Sequence, residues 1–174
     1  AVLTPKELLE TASLLRSVSA IRRYPASTDD LGALEPFFGA LKEISHLERA
    51  ISDAIIAEDM IADTASDALY RIRRDIRKCE SNVRDTLARY TSGGASKYLQ
   101  ENIVTMRNGR YVVPVKAEHK NEIKGLVHDT SASGATLFIE PLAVLEENNK
   151  LRELRVAEND EIERILSSLS SQVA

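Results

Sequence analysis

RNGRYVVPVKAEHKNEIKGLVHDTSASGATLFIEP, residues 107–141, decides the fold. Short β-branched runs alternate here with turn residues, which is the pattern of strands. Ile103 to Arg107 and Arg110 to Lys116 flank Asn108-Gly109, the best short hairpin signal in the chain. Pro114 has no N–H to give to a ladder, so its strand lies at an edge or is bulged there. Ile123 to His128 and Thr136 to Ile139 supply two more strands, with Ser131-Ala132-Ser133-Gly134 as the turn between them. The stretch reads as a small antiparallel β module.

Long helical patterns lie on either side of it. Upstream, Leu69, Ile72, Ile76, Cys79 and Val83 recur three and four apart, followed by Leu87 and Tyr90. Thr64 or Ser66 caps this helix and Gly93-Gly94 stops it. Its roughly 26 residues rise about 1.5 Å each, giving a rod of about 39 Å. Asp67 with Arg71, Glu80 with Arg84, and Asp85 with Arg89 are expected i,i+4 pairs on its outer face. Downstream, a helix is expected from Pro141 almost to the end. Leu145, Leu151, Leu154, Ile162, Ile165, Leu169 and Val173 mark its buried side. Glu146 with Lys150, and Asp160 with Arg164, support its wet side. Each helix has a narrow apolar seam, so the two can pair antiparallel as a stalk with the sheet at its far end. Asn148 and Asn149 have two readings: a buried Asn that fixes the register of the stalk, or exposed residues at the sheet-to-helix junction.

The first third is helical. Thr4-Pro5-Lys6-Glu7 is a capping box with Pro at the first helical position, and Leu8, Ala12, Leu15, Val18 and Ile21 follow at helical spacing. Tyr24-Pro25 ends that helix. A second helix is expected over about Leu34 to Ser52, with Phe37, Leu41, Ile44, Leu47 and Ile51 as its apolar stripe and Pro36 near its first turn. Ile55 to Ala62 is ambiguous: Ile55-Ile56 and Met60-Ile61 flank Ala57-Glu58-Asp59, which could be a short hairpin, but the turn lacks Gly.

Composition bounds the answer. Apolar residues make up 43% and charged residues 29% of 174, the balance of a globular chain with a single domain or one with an elongated appendage. Trp is absent, so the core must be mostly aliphatic. No run of about 18 apolar residues exists, so no membrane span and no membrane partner are expected. The single Cys79 falls in an apolar helical stripe, which suggests a buried, reduced thiol and a cytoplasmic setting. The chain opens without Met and without a targeting segment, and is expected to be a piece of a longer protein.

Chemistry is sparse. From Met106 to His128 five cations, Arg107, Arg110, Lys116, Lys120 and Lys124, face two acids, Glu118 and Glu122, on a chain whose net charge is −4. Basic side chains on an exposed sheet can hold phosphates without reading sequence. From charge alone the blander reading is favoured, that edge-strand lysines deter aggregation. His46, His119 and His128 form no metal-ligand pattern. His128, Asp129, Ser131 and Ser133 evoke a nucleophilic triad, but neighbours along a strand and turn rarely face one another, and no oxyanion hole is evident. Thr130 to Thr136 could cradle a phosphate, but no helix N-terminus follows it in place. No Gly-Lys-Ser or Gly-Lys-Thr occurs, so the chain has no phosphate-binding loop of the Walker A type.

Three strings carry a family resemblance: Gly109 to Lys116, Val127 to Thr136, and Phe138-Ile139-Glu140-Pro141. It continues through Asn148-Asn149 and Leu151-Arg152-Glu153-Leu154, and more weakly back to Asp63-Thr64-Ala65-Ser66 and Ile72-Arg73-Arg74. This pattern resembles the clamp segment of the type-two MutS family, bacterial paralogues of the mismatch-repair ATPase MutS. Glu147 departs from it, standing where an apolar residue is expected. The resemblance implies a mainly α, α+β segment. Residues 1–100 would form a helical core and outgoing lever helix, 101–140 a β clamp insert, and 141–174 the returning lever helix. It implies a non-catalytic arm of a homodimeric ATPase that acts on branched DNA, limits recombination and is linked to collided ribosomes. ATP and Mg would belong to an ATPase domain beyond this segment, as would a nuclease-like Smr domain, and no cofactor is expected here. It also reverses the order of the charge readings: Arg107, Arg110, Lys116, Lys120 and Lys124 become candidate contacts to DNA or ribosomal RNA backbone. The rival is a structural module that docks a protein or a second copy. An enzyme ranks last, since no acid, base, nucleophile or metal set assembles.

Overall fold

The computed structural model describes residues 1–23, 35–41 and 44–173. It is a mixed α+β chain whose contacts divide into two units, Ala1–Arg71 with Glu158–Ala174, and Ile72–Ala157.

The first unit is built on α1 (Pro5–Arg23), α2 (Glu35–Ala40) and α3 (Ser45–Ala54), followed by the strands β1 (Ile55–Ala57) and β2 (Met60–Ile61). The capping box forms as its spacing requires. Thr4 N–H donates to Glu7 Oε2 at 2.8 Å, while Glu7 N–H donates back to Thr4 Oγ1 at 3.3 Å. Leu8 and Ala12 then join Leu47, Ile51 and Ile55 in an aliphatic core. Ile21 does not follow the stripe and stays exposed. The end of α1 at Tyr24-Pro25 lies outside the described residues, as does the expected helix start at Leu34.

The single helix expected over 34–52 is two helices. Leu41 is not helical, and Ile44 has φ −121° and ψ 58° as the residue before α3. Lys42 and Glu43 between them lie outside the described residues. Phe37 faces solvent at 71% exposure instead of joining the stripe. The hairpin at Ile55–Ile61 forms without Gly, its two strands pairing Ile55 with Ile61 and Ala57 with Met60.

The second unit holds most of α4 (Asp67–Thr91), the first part of α5 (Leu145–Val173), and a four-stranded sheet. Ser66 rather than Thr64 caps α4, its Oγ accepting from Leu69 N–H at 3.0 Å. The helix ends at Thr91, just before the Gly93-Gly94 pair. Val83 and Leu87 of α4 sit in one buried cluster with Val113, Val115 and Ile139 of the sheet. Ile76 and Cys79 form another with Leu151 of α5. Two of the expected charge pairs give way to others. Glu80 accepts from Arg155 of α5 at 3.2 Å, and Arg164 pairs with Glu161 at 2.7 Å instead of Asp160.

The sheet comprises β3 (Thr105–Arg107), β4 (Arg110–Lys116), β5 (Gly125–Thr130) and β6 (Thr136–Pro141), all antiparallel in the order β3-β4-β6-β5. Asn108 and Gly109 take φ of 53° and 74°, the paired positive angles of a type I′ turn, which only Gly and Asn tolerate cheaply. β3 pairs with β4 only as far as Val112. Beyond it, Pro114 offers its carbonyl to Gln100 N–H at 2.8 Å, so its missing donor falls where the ladder to β3 has already ended.

Candidate nucleic-acid interface

Glu140 organises the sheet end of the second unit. It follows the apolar run Leu137-Phe138-Ile139 on β6 and is fully buried. A buried carboxylate needs partners, and three neighbours meet it. Arg110 of β4 donates three bonds, from Nε to both carboxylate oxygens at 3.0 and 2.8 Å and from Nη2 to Oε1 at 2.7 Å. Asn148 of α5 donates from Nδ2 to Oε1 at 2.8 Å. His128 Nε2 lies against Oε2. The same Arg110 reaches Asn149 Oδ1 at 2.7 Å. Burial pushes the Glu140 carboxyl upward, but the bonds from Arg110, Asn148 and His128 outweigh it and hold the carboxyl below its ordinary range.

The backbone brings these groups together. His128 is the extra residue of a β-bulge in β5, where Val127 pairs with Ile139 and Asp129 with Phe138. The bulge separates the outward Val127 from His128, which reaches Glu140. Gly125, opposite Pro141, permits the close pairing, since a Cβ there would stand 2.1 Å from the Glu140 carbonyl oxygen. Asn148 is buried, the first of its two readings, but it fixes β4 and not a helix register. Its Nδ2 donates to Tyr111 O at 3.1 Å and its Oδ1 accepts from Tyr111 N–H at 3.2 Å. Asn149 beside it is exposed.

The five cations singled out by sequence therefore differ in standing. Arg110 is only 12% exposed and is held inside the sheet by Glu140. Arg107 lies across the Phe138 ring at 3.9 Å and pairs with Asp129 at 3.2 Å. Lys116 donates to the Lys97 carbonyl at 3.2 Å. Lys120 and Lys124 are exposed, in and after the turn that links β4 to β5. Lys97, which sequence reasoning did not name, joins this group. Its ammonium sits 4.9 Å over Tyr98, and Tyr98 lies 5.2 Å from the His119 ring. Lys97, Lys120 and Lys124 are thus exposed, Lys116 is half-buried against the Lys97 carbonyl, and Arg107 is held on Phe138.

Chemistry of other kinds has little to work with. Ser131 and Ser133 serve their own turn, Ser131 Oγ accepting from Thr136 N–H at 3.1 Å. Asp129 accepts from Thr130 N–H and pairs with Arg107, so no triad forms with His128. Among the described residues no three His, Cys, Asp or Glu side chains converge as metal ligands. Among them, too, no helix is long and apolar enough to cross a membrane.

Glu140 and Asn148 were legible in one respect. A lone acid inside a strand whose neighbours are all apolar demands a buried cation, and Arg110 is the arginine of the facing strand. The bulge that adds His128 to the group has no comparable signal in the residues.

Comparison with known proteins bears on the whole chain. It is similar to the protein named endonuclease MutS2 of Acetivibrio thermocellus, 46% identical over 178 residues, covering 99% of this chain and 22% of that relative. Endonuclease MutS2 of Pelotomaculum thermopropionicum is 47% identical over 176 residues, covering 100% of the chain and 22% of the relative. That of Symbiobacterium thermophilum is 44% identical over 173 residues, covering 99% and 22%. The chain thus spans about a fifth of the length of these relatives. No family model matches it.

Proposed function

Because this chain belongs to the type-two MutS family over the segment it spans, we propose that it is a non-catalytic lever and clamp module of a MutS-type ATPase. Its sheet contacts the sugar–phosphate backbone of DNA or ribosomal RNA without reading sequence. The ATP and Mg belong to another part of the parent protein. That parent works as a homodimer in the cytoplasm, and two such arms close around the nucleic acid.

The observation that carries this reading is a set of lysines on and beside the sheet: Lys97, Lys120 and Lys124 are exposed, and half-buried Lys116 donates to the Lys97 carbonyl. Ammonium groups with no carboxylate partner among the described residues suit backbone phosphates, and such contacts position a nucleic acid without reading its bases. Arg110 plays a different part in this picture. It braces the platform through Glu140 and so acts on binding only through the fold.

A second reading has its own support. The edge strand β5 exposes Leu126 and Val127 at 47% and 53%, and Met106 of β3 and Ile103 just before it are exposed. Apolar side chains on edge strands suit a docked protein or a second copy of the chain.

One titration separates the two. The chain is mixed with labelled duplex DNA, branched DNA and ribosomes at several salt concentrations. Binding should be weak, because a lone arm lacks its partner, and the logarithm of affinity should fall linearly with log salt by about 0.9 per phosphate neutralised. Lys116→Glu, Lys120→Glu and Lys124→Glu together should abolish binding while leaving the melting temperature nearly unchanged. A triple variant that binds as well as the parent chain removes the clamp reading and leaves the docking module in its place.

A further inference from the structure

Within the second unit, α4 buries Ile76, Cys79, Val83 and Leu87 along one side. The opposite side carries Arg74, Arg77, Lys78, Arg84 and Arg89, all exposed, with Asp85 the one exposed acid among them. From Arg74 to Arg89 the helix rises about 22 Å at about 1.5 Å per residue. Expected neutralising pairs do not form on this face. Glu80 turns to Arg155, and Arg84 reaches only the Glu80 backbone carbonyl at 3.3 Å. Asp75 pairs with its neighbour Arg74. Among the described residues Lys78, Arg84 and Arg89 have no ion pair.

A chain with a net charge of −4 therefore carries a dense cationic stripe on a single rigid helix. Such a stripe repels its own kind and is satisfied by a linear polyanion. Four of its five cations are Arg, whose planar fork binds phosphate oxygens two at a time. Ser81 and Ala88 between the cations are small enough to let a rod-like backbone approach. A duplex offers a charge every ~1.7 Å of its axis, far denser than any exposed acidic helix.

We propose that this outer face of α4 is a second nucleic-acid site, a track for the phosphodiester backbone of a duplex, separate from the lysines of the sheet. It does not depend on the clamp reading, because its residues lie on the side of α4 opposite the one that packs on the sheet. DNA and RNA share the chemistry it recognises.

The test uses the chain with Arg74, Arg77, Lys78 and Arg84 all changed to Gln, alongside the Lys116, Lys120 and Lys124 charge-reversal variant. Fluorescence anisotropy follows binding to labelled 20-base-pair DNA and RNA duplexes, with poly-glutamate as competitor. The α4 variant should lose at least tenfold in affinity, and the salt slope should fall by roughly 3.6 units, about 0.9 for each of four lost phosphate contacts. Loss on only one duplex identifies which nucleic acid the track accepts. Arg84→Gln with Arg89→Gln, a pair in the last turns of α4, should lose affinity partially and guards against a folding defect in the larger variant. Unchanged affinity and slope in the α4 variant overturn the proposal, as does a parent chain that binds neither duplex. Poly-glutamate that displaces the duplex at equal charge concentration also overturns it, since the face would then be a dock for acidic protein. If the lysine variant alone loses binding, the clamp reading stands without the track. If the α4 variant alone loses it, the track stands without the clamp.

Discussion

Arg110 and Glu140 form a buried pair in which the guanidinium grips both carboxylate oxygens, at 2.7 to 3.0 Å, and neither side chain is free for an outside ligand. Removing one member leaves the other charged in a dry site, a change that typically costs about 3–5 kcal/mol. Glu140→Ala should therefore lower the unfolding free energy by that order in a urea titration. Arg110→Ala should do the same, and its DNA affinity should be compared only at temperatures where both chains are folded. A loss below about 1 kcal/mol in either variant would mean that water reaches the pair.

Acid should weaken the fold through two carboxylates. Glu140 is held below its ordinary range, burial opposing and the bonds from Arg110, Asn148 and His128 prevailing. Glu161, in the other unit, is held down to about 2 by Arg164 and then by Ser66. A depressed folded pKa means that the stabilisation is complete above the unfolded value of about 4.3 and is lost as pH falls through the folded value. Melting temperature should stay flat on this account from pH 7 to about 5 and then fall steeply toward pH 2. Glu161→Gln should flatten the lower part of that fall. A curve equally steep in the variant would remove Glu161 from the account.

Gly125 tests how closely β5 must approach β6. A Cβ there would meet the Glu140 carbonyl oxygen at 2.1 Å and its carbonyl carbon at 2.8 Å, both backbone atoms that cannot swing aside. Gly125→Ala should cost several kcal/mol, as overpacking against main chain does. Gly94→Ala is the control, since nothing lies within 4 Å of the new methyl group. Near-equal melting temperatures for the two variants would refute the pairing register of β5.

Local signals in the residues predicted the local structure well. The capping box at Thr4, the Asn108-Gly109 turn and the seam from Leu69 to Leu87 each rest on neighbours a few positions apart, and each appears where expected. The break between α2 and α3 was not legible, because the apolar spacing runs on through Leu41 and Ile44 although the backbone leaves the helix there. Charge was the poorest guide. Arg110 reads as a surface cation of a strand, and only the facing strand reveals that Glu140 claims it. Glu80 has an ideal partner four residues on, yet it takes Arg155, seventy-five residues away. Exposed i,i+4 pairs contribute only tenths of a kcal/mol, so tertiary geometry readily overrides them.

Cys79 explains the acid that interrupts the family pattern. Its thiol is buried and donates to Glu147 Oε2 at 2.8 Å, with the Glu147 carbonyl at 3.2 Å. Burial first, and then the bond to Glu147, pushes the thiol up to about 11. At pH 8 roughly one thiol in a thousand is then ionised, and thiolate is the reactive form. A disulfide reagent should therefore modify the native chain slowly, at a rate set by local opening, and modify it at once in denaturant. Glu147→Leu removes one acceptor but leaves the carbonyl, so it should fold, with an apolar residue restored beside Leu151. Cys79→Asp should do the opposite, placing a second carboxylate against Glu147 with only the Lys150 charge nearby to offset it, and should be among the most destabilising single changes in the second unit. Immediate labelling of the native thiol would show that Cys79 does not face α5, and the packing of Ile76 and Cys79 on Leu151 would have to be redrawn.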